Sequence, residues 1–162
     1  MDLLLAVKLL LLLMVANGAP ILVHALFAAR WDQPIDANRH FIDGQPLLGP
    51  SKTWRGLVAA LLSTPCAALL MGVSASTGLL IAAVAMAGDL LSSFCKRRLH
   101  IPPSGMALGL DQIPESLLPL LAIQRHFALE WLEIAQLTVT FMVLELVLSR
   151  ILYALHIRKQ PY

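Results

Sequence analysis

Charge is scarce in this chain. Only 14% of its 162 residues are Asp, Glu, Lys or Arg, where soluble domains carry roughly 25%. The formal net charge of +2 is small and scattered, which excludes the basic footprint that nucleic-acid binding requires. There are two cysteines, Cys66 inside an apolar run and Cys95 beside Lys96. Without a CxxC pair or a secreted framework they read as free thiols. His24, His40, His100, His126 and His156 show no ligand spacing such as HExxH, and no Ser/His/Asp arrangement emerges. Gly/Ser linkers, low-complexity tracts and repeat periods are absent as well, so residues 1–162 read as one domain.

Apolar residues fill the space that charge leaves. The chain is 58% hydrophobic with a mean hydropathy of +0.75, the composition of a polytopic membrane protein. Its long apolar runs predict an all-α bundle of about five transmembrane helices. These cover about Leu3–Ala29, Gly56–Val73, a third span ending near Phe94, a short Asp111–Ile123 and Ile134–Leu155. The first run is too long for a signal-peptide core and Lys8 interrupts it, so it reads as a retained span. A kink is expected there around Asn17-Gly18-Ala19-Pro20. Two polar loops, about 30–55 and 95–110, hold most of the basic residues, and the tail adds Arg158 and Lys159. The positive-inside rule then puts both loops and the C-terminus in the cytoplasm and the N-terminus outside. The expected location is the cell membrane.

The segment GDLLSSFCKRR, 88–98, is the most informative. A carboxylate at membrane depth costs roughly 2.5–3.5 kcal/mol, so Asp89 needs a partner or a task. On a helix, Asp89, Ser92, Ser93 and Lys96 share one face at i, i+3, i+4 and i+7. An acid, two hydroxyls and a cation in line suit a metal and an anion; a salt-bridged structural Asp beside a basic anchor accounts for the same residues. Arg98 points away from that face and is expected to matter less. GPSKTWRG, 49–56, is no P-loop, because Ser51 and Pro46 occupy glycine positions. Lys52, Thr53 and Arg55 still stand at a helix entrance, either as phosphate ligands or as interfacial anchors. Asp32, Asp36 and Asp43 sit among turn formers, where loop aspartates commonly act as caps. Asp111 opens the fourth span with Glu115 one turn on, either as a helix cap or as part of a site. Asp89 and Asp111 end consecutive spans on one side, and two hard oxygen ligands plus substrate phosphates is how Mg²⁺ is usually held. Glu145 adds an acid within the last span.

Together, NGAPILVHALF, PIDANRHFIDGQPLLGPSKTWRG, GDLLSSFCKRRLHI, GLDQ and SRILYALHIRKQPY resemble the CDP-archaeol synthase family over essentially the whole chain. These are integral membrane cytidylyltransferases, related more distantly to phosphatidate cytidylyltransferases. The chain departs from the family pattern at Asn38, Ser51 and His100, where glycine is usual. It also departs at Pro114, with the acid displaced to Glu115, and at Glu145 and Ser149, where histidine and asparagine are usual. Asparagine at 38 tolerates the left-handed turn a glycine would take.

The resemblance implies transfer of CMP from CTP to a lipid phosphate, with pyrophosphate released. Asp89 and Asp111 would hold Mg²⁺, and Lys96 and Arg97 would complete the catalytic set. Lys52, Thr53, Arg55, Ser93, Asp36 and Asp43 would bind the nucleotide. The partners implied are CTP, a lipid phosphate and membrane lipids; a homo-oligomer stays open. A non-enzymatic or ion-coupled transport role, with Asp89, Asp111 and Glu145 lining a path, is the alternative.

Overall fold

Each long apolar run folds as a helix. The computed structural model describes residues 2–27, 30–103 and 105–155, and within them five helices form. They are α1 (Leu3–Phe27), α2 (Trp54–Leu70), α3 (Ala75–Arg98), α4 (Gln112–Phe127) and α5 (Trp131–Ala154). Local chemistry sets several ends. The Thr53 side chain accepts from the Gly56 amide to start α2, and Ser74 does the same for Thr77 in α3. Glu130 and Glu133 form a reciprocal capping box on α5.

Five helices form as expected, and three of them are long, apolar candidate spans. Helices α1, α3 and α5, of 25, 24 and 24 residues, are long and apolar enough to cross a membrane. At 1.5 Å per residue they reach about 36 Å, more than the roughly 30 Å hydrocarbon core. Helix α2 is apolar but has 17 residues, and α4 has 16 with Glu115, Arg125 and His126 among them. Both fall short of that thickness when straight. Helix α1 runs through Asn17–Pro20 without a break, and Asn17 Nδ2 donates to the Leu13 carbonyl at 3.1 Å in that stretch. Lys96, Arg97 and Arg98 belong to the last turn of α3 rather than to the following loop. Lysine and arginine are good helix formers and suit the negative end of the helix dipole. Arg158, Lys159 and the C-terminus lie outside the described residues.

Helix α3 is the hub, packing against α1, α2 and α4, while α5 lies on α1 and α4. Leu9, Leu12, Leu13, Ala68, Ile81, Leu120, Ile123, Leu137 and Phe141 form the buried core between them. Val139, Val143, Val147 and Ile151, four residues apart along α5, stay exposed, as a lipid-facing stripe does. Two glycines permit the closest crossings of α3. A Cβ at Gly78 would sit 2.8 Å from Pro65 Cα in α2, and one at Gly88 would sit 2.4 Å from the Pro114 carbonyl oxygen in α4. The second crossing brings Asp89 against Glu115.

Candidate active site

The first connection is a folded loop. Asp36 is buried, and its carboxylate accepts from the amides of Asn38, Leu48 and Gly49 at 3.0, 2.9 and 2.8 Å. Burial pushes the Asp36 carboxyl up, but the amides at Gly49, Leu48 and Asn38 together outweigh it and hold it below its ordinary value. Asn38 takes φ +58°, the left-handed conformation expected of it. Gly49 has φ +99° and packs near Pro103 of the second connection and Arg97 of α3. Both connections therefore close over the same end of the bundle, and a cavity of about 550 Å³ lies beneath them.

Charged side chains from three directions line this cavity. Lys52 Nζ, from the first loop, contacts both Asp89 carboxylate oxygens, at 2.5 and 2.6 Å. Burial alone would lower the Lys52 pKa, but the charges of Asp89, Glu115 and Asp111 and the hydrogen bond to Asp89 together outweigh it, so the ammonium is held above its ordinary value. Lys96 pairs with Asp111 Oδ1 at 2.6 Å and donates to the Gly105 carbonyl at 3.2 Å. Asp111 begins α4 without capping it. Its other oxygen accepts from the Ala107 amide at 3.0 Å, so the cap reading gives way to a loop tie and an ion pair. Glu115, one turn on, is buried and lines the cavity together with Asp89. Arg97 is only 3% exposed and also lines the cavity, yet its Nε and Nη1 have no hydrogen-bond partner.

Of the residues singled out from sequence, Asp89, Ser93, Lys96, Arg97, Asp111, Lys52 and Thr53 line this one cavity. Arg55, Asp36 and Asp43 are not brought to it. Arg55 is held by Asp32 at 2.8 Å, by His24 Nδ1 at 3.1 Å and by the Arg30 carbonyl. Asp43 pairs with Arg98 at 2.9 Å and accepts from the Gln45 amide. Ser92 donates to the Gly88 carbonyl at 2.9 Å, so the hydroxyl expected beside Asp89 serves the helix instead. Sequence reasoning missed Gln112 at the cavity and gave Glu115 too little weight. Its position four residues after Asp111 was the available signal.

Long apolar helices, with buried cations and carboxylates gathered under two loops at one end of the bundle, define a polytopic membrane protein. Comparison with known proteins identifies the family. The family model described as CarS-like, CDP-archaeol synthase, matches residues 1–162. The chain belongs to the CDP-archaeol synthase family. It is 38% identical over 104 residues to the CDP-archaeol synthase of Hyperthermus butylicus, covering 60% of this chain and 59% of that protein. With the CDP-archaeol synthase of Pyrobaculum arsenaticum it shares 29% identity over 153 residues, 91% of this chain and 92% of the relative. It also matches the solved structure of an intramembrane enzyme for archaeal membrane lipids biosynthesis with a TM-score of 0.77 and 29% identity. That match covers 91% of this chain and 94% of the other.

Proposed function

We propose that this chain is a CTP-dependent cytidylyltransferase that converts a membrane lipid phosphate into a CDP-activated lipid. Arg97 carries the reading: a buried guanidinium whose Nε and Nη1 lack hydrogen-bond partners, in a cavity beside two lysines, awaits an anion. In the reaction an anionic oxygen of the lipid phosphate attacks the α-phosphorus of CTP. The new O–P bond forms as the bond from the α-phosphorus to the α–β bridging oxygen breaks, and pyrophosphate departs with the electron pair. The nucleophile is already charged, so no general base is needed. Lys52, Lys96 and Arg97 orient the triphosphate and stabilise charge on the leaving pyrophosphate. Family membership supports this reading over ion-coupled transport.

Asp89 and Asp111 supply only hard oxygen donors, which fit Mg²⁺. Among the described residues no group of three or more His, Cys, Asp or Glu side chains is arranged to hold a metal. The site would therefore be completed by substrate phosphates, and the ion would neutralise the triphosphate and polarise the α-phosphorus.

Arg97→Ala is expected to lower kcat/KM for CTP by about 100-fold, the scale for losing one preorganised charge donor. Its melting temperature should hold or rise, because an unpartnered buried cation is removed. Labelled CTP with a panel of lipid phosphates and purified protein makes the measurement. Wild-type kinetics in this variant would leave Arg97 a mere anchor and remove the main support for the reading.

The same reading places both loops on the cytoplasmic side, where CTP is found, in the cell membrane. Arg30, Arg39, Lys52, Arg55, Lys96, Arg97 and Arg98 gather at the cavity end, against Lys8 and Arg125 at the other. Cysteines introduced singly at Ser51 and Ser76, with the native thiols removed, should react with impermeant reagents from opposite faces, Ser76 from outside. Labelling of Ser51 from outside would reverse the orientation.

A further inference from the structure

We propose that Arg98 is a positioning residue that fastens the first loop to the end of α3 and so sets Lys52 on Asp89. As expected from its helical position, Arg98 does not line the cavity. Its side chain is nevertheless held elsewhere, although Nη1 has no hydrogen-bond partner. Nη2 donates to the Pro46 carbonyl at 2.7 Å, and Nε lies 2.9 Å from Asp43 Oδ2. The guanidinium carbon stands 4.7 Å from the Phe41 ring centre and 4.8 Å from that of Phe94. Those two rings meet edge to face at 5.4 Å. Phe94 belongs to α3, whereas Phe41, Asp43 and Pro46 belong to the loop. One planar cation thus joins helix to loop by a hydrogen bond, an ion pair and a stack between aromatic rings.

The loop is stiff enough to pass that placement on. Phe41 donates to the Gln45 carbonyl at 2.8 Å and Leu47 to that of Arg39 at 2.9 Å, which closes a small hairpin around Asp43. The chain then runs through Leu48 and Gly49, both tied to Asp36, to Lys52. Lys52 is itself fixed by its own N–H, which donates to the Gly49 carbonyl, and by its carbonyl, which accepts from the Ile35 amide. The loop therefore forms ion pairs with α3 at Arg98 and at Asp89, with a hydrogen-bonded segment between them. Asp36 and Asp43 gain a role in this arrangement without reaching the cavity.

The kinetic part of the test rests on the proposed cytidylyltransferase reading; the proteolytic part does not. Arg98→Lys keeps the charge but loses the planar fork and the stack. It is expected to lower kcat/KM for CTP by roughly 100-fold, the cost of misplacing a reacting group by about 1 Å. In the Lys52→Ala background the same change should cost nothing further, because Arg98 acts through Lys52. Tryptic cleavage after Lys52 should quicken in Arg98→Lys, since the ammonium bound to Asp89 in wild type is released. Asp43→Ala leaves all three basic residues of α3 in place and should reproduce both effects. Rescue by lysine, additive losses with Lys52→Ala, or unchanged cleavage would each overturn the proposal. A wild-type protein that turned over no CTP would sink the functional reading, and the cleavage rates would still decide the clasp.

Discussion

Asp89→Asn and Asp111→Asn are each expected to remove nearly all CTP-dependent turnover, about 1,000-fold, and the double variant to be barely worse than either. Both side chains line one cavity and each holds a lysine that is proposed to meet phosphate. The same carboxylates are the proposed Mg²⁺ ligands, so losing either disassembles one unit, and groups that work as a unit fail together. The ion pairs add a second signature. In Asp89→Asn the Lys52 ammonium loses its carboxylate, so pyrophosphate should bind the metal-free variant more tightly than wild type even as turnover disappears. Calorimetry with pyrophosphate in chelator, beside a Mg²⁺ titration of residual activity, reads both effects. Additive losses with an unchanged metal requirement would show that the two acids act separately.

Gly88→Ala is expected to be the most damaging small substitution in the chain. The new methyl would lie 2.4 Å from the Pro114 carbonyl oxygen and 2.6 Å from its carbon. These are backbone atoms of the neighbouring helix and have no rotamer to escape into. Helices α3 and α4 must part, at a cost at or above the top of the usual range of about 1–3 kcal/mol for overpacking. Parting them also separates Asp89 from Glu115 and Asp111, so turnover should fall with stability. Gly18→Ala is the control: its added Cβ meets nothing within 4 Å, and it should melt like wild type. If thermal melts in detergent showed the Gly88 and Gly18 variants alike, the close crossing of α3 and α4 would be wrong.

The site divides into parts that local pattern announces and parts that it hides. The alignment of Asp89, Ser93 and Lys96 on α3 follows from helical spacing, and all three line the cavity. The left-handed turn at Asn38 was legible for the same reason, since it depends on one residue's own backbone preference. Arg98 points away from the cavity as its helical position predicts, but its partners, Pro46 and Asp43, lie 52 and 55 positions earlier, and no periodicity encodes such a meeting. For Asp111 the sequence left a helix cap and a site residue both open, because acids at helix starts are often caps; a lysine from the preceding helix and an amide of the second loop claim it. The basic cluster at residues 96–98 was assigned to a loop on polarity alone, although lysine and arginine continue a helix readily.

By itself the sequence determined that this is a helical membrane protein and which segments form its helices, because burying apolar runs and satisfying backbone groups are demands each segment meets alone. It also carried the short motifs that mark the family. Tertiary structure alone decided which charges meet: Lys52 with Asp89, Lys96 with Asp111, Arg98 with Asp43. It alone left Nε and Nη1 of the buried Arg97 without hydrogen-bond partners. Ion pairing depends on distance in space rather than along the chain, and the close α3–α4 crossing at Gly88 and the folding of the first loop set those distances.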